Sequence, residues 1–84
     1  FVVRRGGIAL KIASQAAVGF PDRLIILPDQ PMFFVELKAK DGRLPPIQAA
    51  RIKQLERRGQ DAYVVSDFET FTRIINERIA AYER

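Results

Sequence analysis

Short apolar runs separated by turn-forming residues fill the first forty positions, a rhythm that suits strands, whereas the last forty carry the wider spacing of helical faces. Ile8-Ala9-Leu10-Lys11-Ile12, after two glycines, predicts a first strand, and residues 13–19 a loop leading out of it. Arg23-Leu24-Ile25-Ile26-Leu27 predicts a second strand. Pro28-Asp29-Gln30-Pro31 is a turn, because proline and aspartate supply the dihedrals a tight reversal needs, and it joins that strand to a third over residues 32–39. A loop over residues 40–46 leads to a helix over about 46–58, opened by proline, whose missing N–H has no helical partner at that end. Gln48, Ile52 and Leu55 share one helical face, with Gln48 pointing toward the sheet. Gly59 is a natural cap, and Ala62-Tyr63-Val64-Val65 predicts a fourth strand. Ser66-Asp67-Phe68-Glu69 has the spacing of a capping box and opens a last helix with Phe68, Phe71, Ile75, Ile79 and Tyr82 on one face. Three strands, a helix, a strand and a helix predict an α/β sandwich with a central mixed sheet flanked by helices.

The third strand carries an anomaly. Met32-Phe33-Phe34-Val35-Glu36-Leu37-Lys38-Ala39 is apolar enough to be buried on both faces, yet two ions interrupt it. Side-chain alternation puts Phe34, Glu36 and Lys38 on one face and Phe33, Val35 and Leu37 on the other. A buried ion without a partner is strongly disfavoured, so the pair calls for a reason. Asp22 begins the partner strand of the predicted hairpin, and antiparallel pairing sets that beginning beside the end of the third strand. Two carboxylates and an ammonium therefore converge. Each has an ordinary reading too: Asp22 as a turn residue after proline, Glu36 and Lys38 as charges guarding an edge strand. The run from Phe33 to Leu37 is, however, too apolar for a comfortable edge.

The chemistry that suits this trio is metal-dependent phosphodiester hydrolysis. Two carboxylates hold a hard divalent cation, which acidifies a bound water and neutralises charge developing on phosphoryl oxygens. A lysine beside them can orient the nucleophile or stabilise the transition state.

Composition narrows the setting. Eighty-four residues make one domain, 1–84, with a modest core. With 48% hydrophobic residues and no cysteine, the chain has neither a disulfide framework nor a Cys-rich metal site, and some apolar surface is expected to be buried against a second copy. No apolar run approaches the roughly 20 residues that span a bilayer, and no signal-peptide pattern opens the chain. An intracellular protein with no membrane partner is expected, in the cytoplasm of a bacterium or phage-infected host. Fourteen Lys and Arg against ten Asp and Glu give +4, with a pI near 10.0. That balance favours polyanions through counterion release.

Gly19-Phe20-Pro21-Asp22-Arg23, then Phe34-Val35-Glu36-Leu37-Lys38, then Gly42-Arg43-Leu44 and Gln48 resemble the VRR-NUC family of the PD-(D/E)xK nuclease superfamily. The resemblance runs from Gly6 to about Val65. It implies a restriction-endonuclease-like sandwich in which Asp22, Glu36 and the Leu37 carbonyl bind Mg2+ or Mn2+. It further implies that Lys38 is the catalytic lysine and Gln48 an active-site residue, although a buried glutamine can also merely satisfy a loop backbone. Lys11, Arg23, Lys40 and Arg43 flank these positions and are candidates to grip DNA phosphates. Similarity to stand-alone members, and through their fold to Holliday-junction resolvases, implies a homodimer cutting structured or branched DNA. Relatives usually carry a further acid on a helix before the first strand, and no acid precedes Asp22 here. Phe1 to Gly7 reads as the tail of a helix closed by glycine, so residues upstream of Phe1, including most of that helix, are expected to be lacking from this chain. Two rival functions follow. One is a nucleic-acid-binding module without catalysis, motivated by the missing acid. The other is a dimeric scaffold in a repair or phage replication assembly, motivated by small size and the long apolar helix face.

Overall fold

The computed structural model describes residues 1–13 and 18–83, so residues 14–17 of the expected 13–19 loop lie outside the described residues. A 3-10 turn, Val3–Arg5, opens the chain and ends at Gly6, whose φ of 77° lets its N–H return to the Val3 carbonyl. The glycine-closed helix tail read from the sequence is thus present as one tight turn.

Four strands follow the expected positions within a residue or two: β1 (Ile8–Lys11), β2 (Arg23–Ile26), β3 (Phe33–Leu37) and β4 (Ala62–Val65). They form one sheet in the order β1-β2-β3-β4. β1 pairs antiparallel with β2, and β2 with β3, while β3 and β4 run parallel. The parallel pair requires a crossover, supplied by α1 (Pro46–Glu56), and α2 (Phe68–Tyr82) follows β4. β3 therefore has a hydrogen-bonded neighbour on each side, which explains its apolar run. The expected span of 32–39 shortens to five residues, although the Lys38 N–H still reaches the Val65 carbonyl at 2.9 Å.

Phe33 and Val35 are fully buried and form the core with Ile25, Leu27, Val2, Val65 and Ile75. Phe71, Ile74 and Ile79 of α2 pack against this cluster. The expected α2 stripe thus holds only in its middle: Phe68 is 68% exposed and Tyr82 46%. Arg78 takes part of that space instead. Only 8% exposed, it lies 4.2 Å from the centroid of the Phe33 ring. It donates to Asp61 Oδ2 at 2.7 Å, to the Tyr63 hydroxyl at 3.0 Å and to Gln30 Oε1 at 3.1 Å. Burial opposes its charge, but the bonds to Asp61 and Tyr63 outweigh that and hold its pKa above the ordinary guanidinium value.

Both helix ends show local chemistry. The capping box read at Ser66 shifts by one residue: Asp67 is the N-cap of α2, accepting from the Thr70 N–H at 2.6 Å and the Thr70 hydroxyl at 2.9 Å. Aspartate wins because Thr70, not Glu69, sits three residues beyond it with a second donor. After α1, the Gln60 N–H reaches the Leu55 carbonyl and the Gly59 N–H the Glu56 carbonyl, each at 3.0 Å. With Gly59 at φ 78°, this is a Schellman closure, as its sequence position implied. Among the described residues, no helix is long and apolar enough to cross a membrane.

Candidate active site

Asp22 and Glu36 meet because of strand register. Arg23 pairs with Val35, and continuing that register by one residue sets Asp22 opposite Glu36. The two then bracket each other. The Asp22 N–H donates to Glu36 Oε1 at 3.1 Å, and the Leu37 N–H donates to Asp22 Oδ1 at 3.2 Å. Each carboxylate is thereby fixed by the backbone of the other's strand, a rigid mount of the kind a precise site needs.

The remaining oxygens face cations. Lys38 Nζ lies 3.3 Å from Glu36 Oε2, and Arg23 Nη1 lies 3.1 Å from Asp22 Oδ2. Glu36 is only 5% exposed, so its charge depends on these partners. Two negative and two positive charges make the resting cluster electrically balanced. All four carboxylate oxygens have a partner on the protein, two meeting backbone N–H groups and two the cationic side chains of Lys38 and Arg23.

The loop that delivers Asp22 is fixed by its own packing. Gly19 has φ 81°, and a Cβ there would lie 2.6 Å from Ile47 Cγ1, so glycine is required on both counts. Arg51 of α1 stacks over the Phe20 ring at 5.3 Å and donates to the Val18 carbonyl at 3.2 Å. Pro21 is fully buried immediately before the aspartate. The Gly-Phe-Pro-Asp sequence is thus a fitted corner that aims one carboxylate at the sheet.

No protein-family model matches the chain. A curated phage protein named "Putative nuclease p44", from Acyrthosiphon pisum secondary endosymbiont phage 1, is 38% identical over 60 residues, or 71% of this chain and 64% of that protein. The chain therefore spans somewhat under two thirds of this relative's length. A solved structure named VRR_NUC domain superposes with a TM-score of 0.79 at 29% identity, covering 89% of this chain and 82% of that one. The chain is similar to a VRR-NUC domain in both sequence and fold. Its four-stranded mixed sheet with flanking helices is the restriction-endonuclease-like fold.

Within this fold, the structure brings together Asp22, Glu36, Leu37 and Lys38. Gln48 sits near the start of α1 with its Oε1 sealed from solvent and, among the described residues, lacking a hydrogen-bond partner. A buried acceptor left unpaired is costly, so this oxygen is poised for a donor. Arg23 is engaged with Asp22, whereas Lys11, Lys40 and Arg43 are exposed. A mainly apolar cavity of about 500 Å3, lined by Ile25, Leu37, Val65, Phe68 and Phe71, adjoins the site through Arg23 and Lys38 but includes neither Asp22 nor Glu36.

The support that Arg51 gives to the loop is a functional contribution that no motif in the sequence marks. Its signal is instead the i, i+4 relation of Arg51 to Ile47, which puts both on the face that meets Gly19 and Phe20. Nor does any motif mark Arg78.

Proposed function

We propose that this VRR-NUC-like domain is a Mg2+- or Mn2+-dependent endodeoxyribonuclease that hydrolyses phosphodiester bonds in structured or branched DNA such as Holliday junctions. The observation that carries the reading is the bracketed Asp22–Glu36 pair with Lys38 Nζ 3.3 Å from Glu36 Oε2. The name of the phage relative points the same way.

The donor chemistry fits a hard cation. Carboxylate oxygens fixed on adjacent strands suit an ion that prefers oxygen and keeps several waters. Among the described residues, no group of three or more His, Cys, Asp or Glu converges, so Asp22 and Glu36 would be joined by the Leu37 carbonyl and water. When bound, such a cation acidifies a water and offsets charge on the phosphoryl oxygens. The chain's own residues do the rest. Asp22 and Glu36 fix the position, and Lys38, already held toward it by Glu36, orients the nucleophilic water or stabilises the phosphorane-like charge. Gln48 organises Lys38 or that water through its buried side-chain oxygen. Lys11, Lys40 and Arg43 bind flanking phosphates without reading bases.

The homodimer reading is supported by the sheet face that carries Glu36, toward its β1 edge. Ile8 pairs with Ile26 and Leu10 with Leu24, and Ile8, Leu10 and nearby Met32 are exposed. An apolar sheet face next to an unpaired edge strand suits a second copy, and two-fold symmetry would match the symmetry of a four-way junction.

The test is a substrate panel: labelled four-way junction, flap, duplex and single-stranded DNA with Mg2+, Mn2+ or EDTA, the oligomer being sized in parallel. Metal-dependent cuts strongest on the junction by a dimer are expected. Binding without cutting on every substrate would replace the enzyme by a nucleic-acid-binding module. Failure to bind DNA at any salt concentration would favour a scaffold.

A further inference from the structure

Resting on the metal-site reading above, a second role emerges for the residue after Asp22. Arg23 Nη1 is hydrogen-bonded at 3.1 Å both to Asp22 Oδ2 and to the Asp22 carbonyl, so one guanidinium caps the ligand from both ends. This ion pair is partly exposed on both sides, unlike the more buried Glu36–Lys38 pair. Partly exposed pairs are weak and exchange readily. Arg23 also stands directly opposite Lys11 across the β1–β2 ladder. Like charges so placed repel, and an anion between them would convert that repulsion into two attractions.

We propose that Arg23 is a positioning residue that acts as an exchangeable counter-ion. In the resting site it occupies Asp22 Oδ2 and opposes cation uptake. When a divalent cation takes that oxygen, the guanidinium turns toward Lys11 and the two together hold a DNA phosphate. Cation and DNA thereby favour each other's binding, a reciprocal coupling that thermodynamics requires once Arg23 serves both. The ligand of the Lys11–Arg23 pair is a backbone phosphate, recognised by charge and geometry alone.

The sign of one measurement separates this role from simple structural support. Mn2+ is titrated by electron paramagnetic resonance into DNA-free wild type, Arg23→Gln, Arg23→Lys and Asp22→Asn. Arg23→Gln is expected to bind Mn2+ about two- to fivefold more tightly than wild type, the range set by a partly exposed ion pair, and Arg23→Lys to stay near wild type because the charge is kept. If Arg23 merely braced Asp22, Arg23→Gln would bind Mn2+ more weakly, and that result overturns the proposal. So does equal tightening in Arg23→Lys. Mn2+ binding that is the same in wild type and Arg23→Gln but lost in Asp22→Asn overturns the counter-ion role while leaving the metal site intact. No Mn2+ binding by any of these proteins overturns both.

The phosphate half is read in EDTA with a labelled duplex. Asp22→Asn frees Arg23 and should tighten DNA binding severalfold more in the wild-type background than in the Arg23→Gln background. Equal gains in both backgrounds would mean that only the lost carboxylate charge matters and would overturn transfer to phosphate.

Discussion

Glu36 is held at one oxygen by the Asp22 N–H and at the other by Lys38 Nζ. Taking away the ammonium leaves a buried carboxylate short of a partner, whereas taking away both charges does not. Lys38→Met is therefore expected to lower stability by about 1–3 kcal/mol, and adding Glu36→Gln to restore most of the loss, as read by urea unfolding. Arg78 poses the same question in a purely structural setting. Its guanidinium joins Asp61, Tyr63, Gln30 and the Phe33 ring, so Arg78→Ala should cost about 2–4 kcal/mol. Arg78→Lys should recover little, because a single ammonium nitrogen cannot stack flat on the ring or reach acceptors spread around the Nε and Nη positions of a planar guanidinium. The contrast between these two clusters shows what a sequence discloses at this scale. Glu36 and Lys38 stood out because period-two ions break an apolar run. Arg78 follows Asn76 and Glu77 in what reads as a solvated face, and its partners lie 15, 17 and 48 residues away. Nothing local marks it.

Elements were legible wherever one residue decides an end. Proline at the start of α1 and Gly59 after it fixed that helix to within two residues, because each has a backbone preference independent of tertiary contacts. The start of α2 was misjudged by one because Ser66 and Asp67 are both good caps, and the choice rests on which meets the Thr70 N–H and hydroxyl. Those bonds, first from the Thr70 backbone and then from its side chain, hold the Asp67 carboxyl below the usual carboxylate range. A folded-state pKa lowered in this way stabilises the fold above the unfolded value of about 3.9, and the gain is lost as pH falls through the folded value. Asp67→Ala should therefore lower the urea midpoint at neutral pH, with the difference from wild type shrinking in acid. Asp67→Asn, which caps without titrating, should stay near wild type at neutral pH and leave no such pH dependence. Equal midpoints for wild type and Asp67→Ala at neutral pH would contradict the assigned cap.

At the scale of the whole molecule, hairpin, hairpin and crossover give the order β1-β2-β3-β4 with little freedom, which is why the mixed sandwich could be read from segment order alone. The pairing of Asp22 with Glu36 follows from that topology, since an antiparallel hairpin with its turn near residues 28–31 sets the two strand ends side by side. What the order of segments leaves open is how β1 is covered, because its residues are all exposed and, among the described residues, no strand pairs with its outer edge. The central claim, that the Asp22–Glu36 pair is a metal-dependent phosphodiester site, is tested most directly by cleavage of labelled branched DNA under single-turnover conditions. Wild type, Asp22→Asn and Glu36→Gln, each shown to be folded by circular dichroism, are compared in Mg2+ and in EDTA. Strand cleavage in Mg2+ that vanishes in EDTA and falls by about a hundredfold or more in either variant is the predicted result. Cleavage that persists in EDTA, or at the wild-type rate in Glu36→Gln, would contradict it.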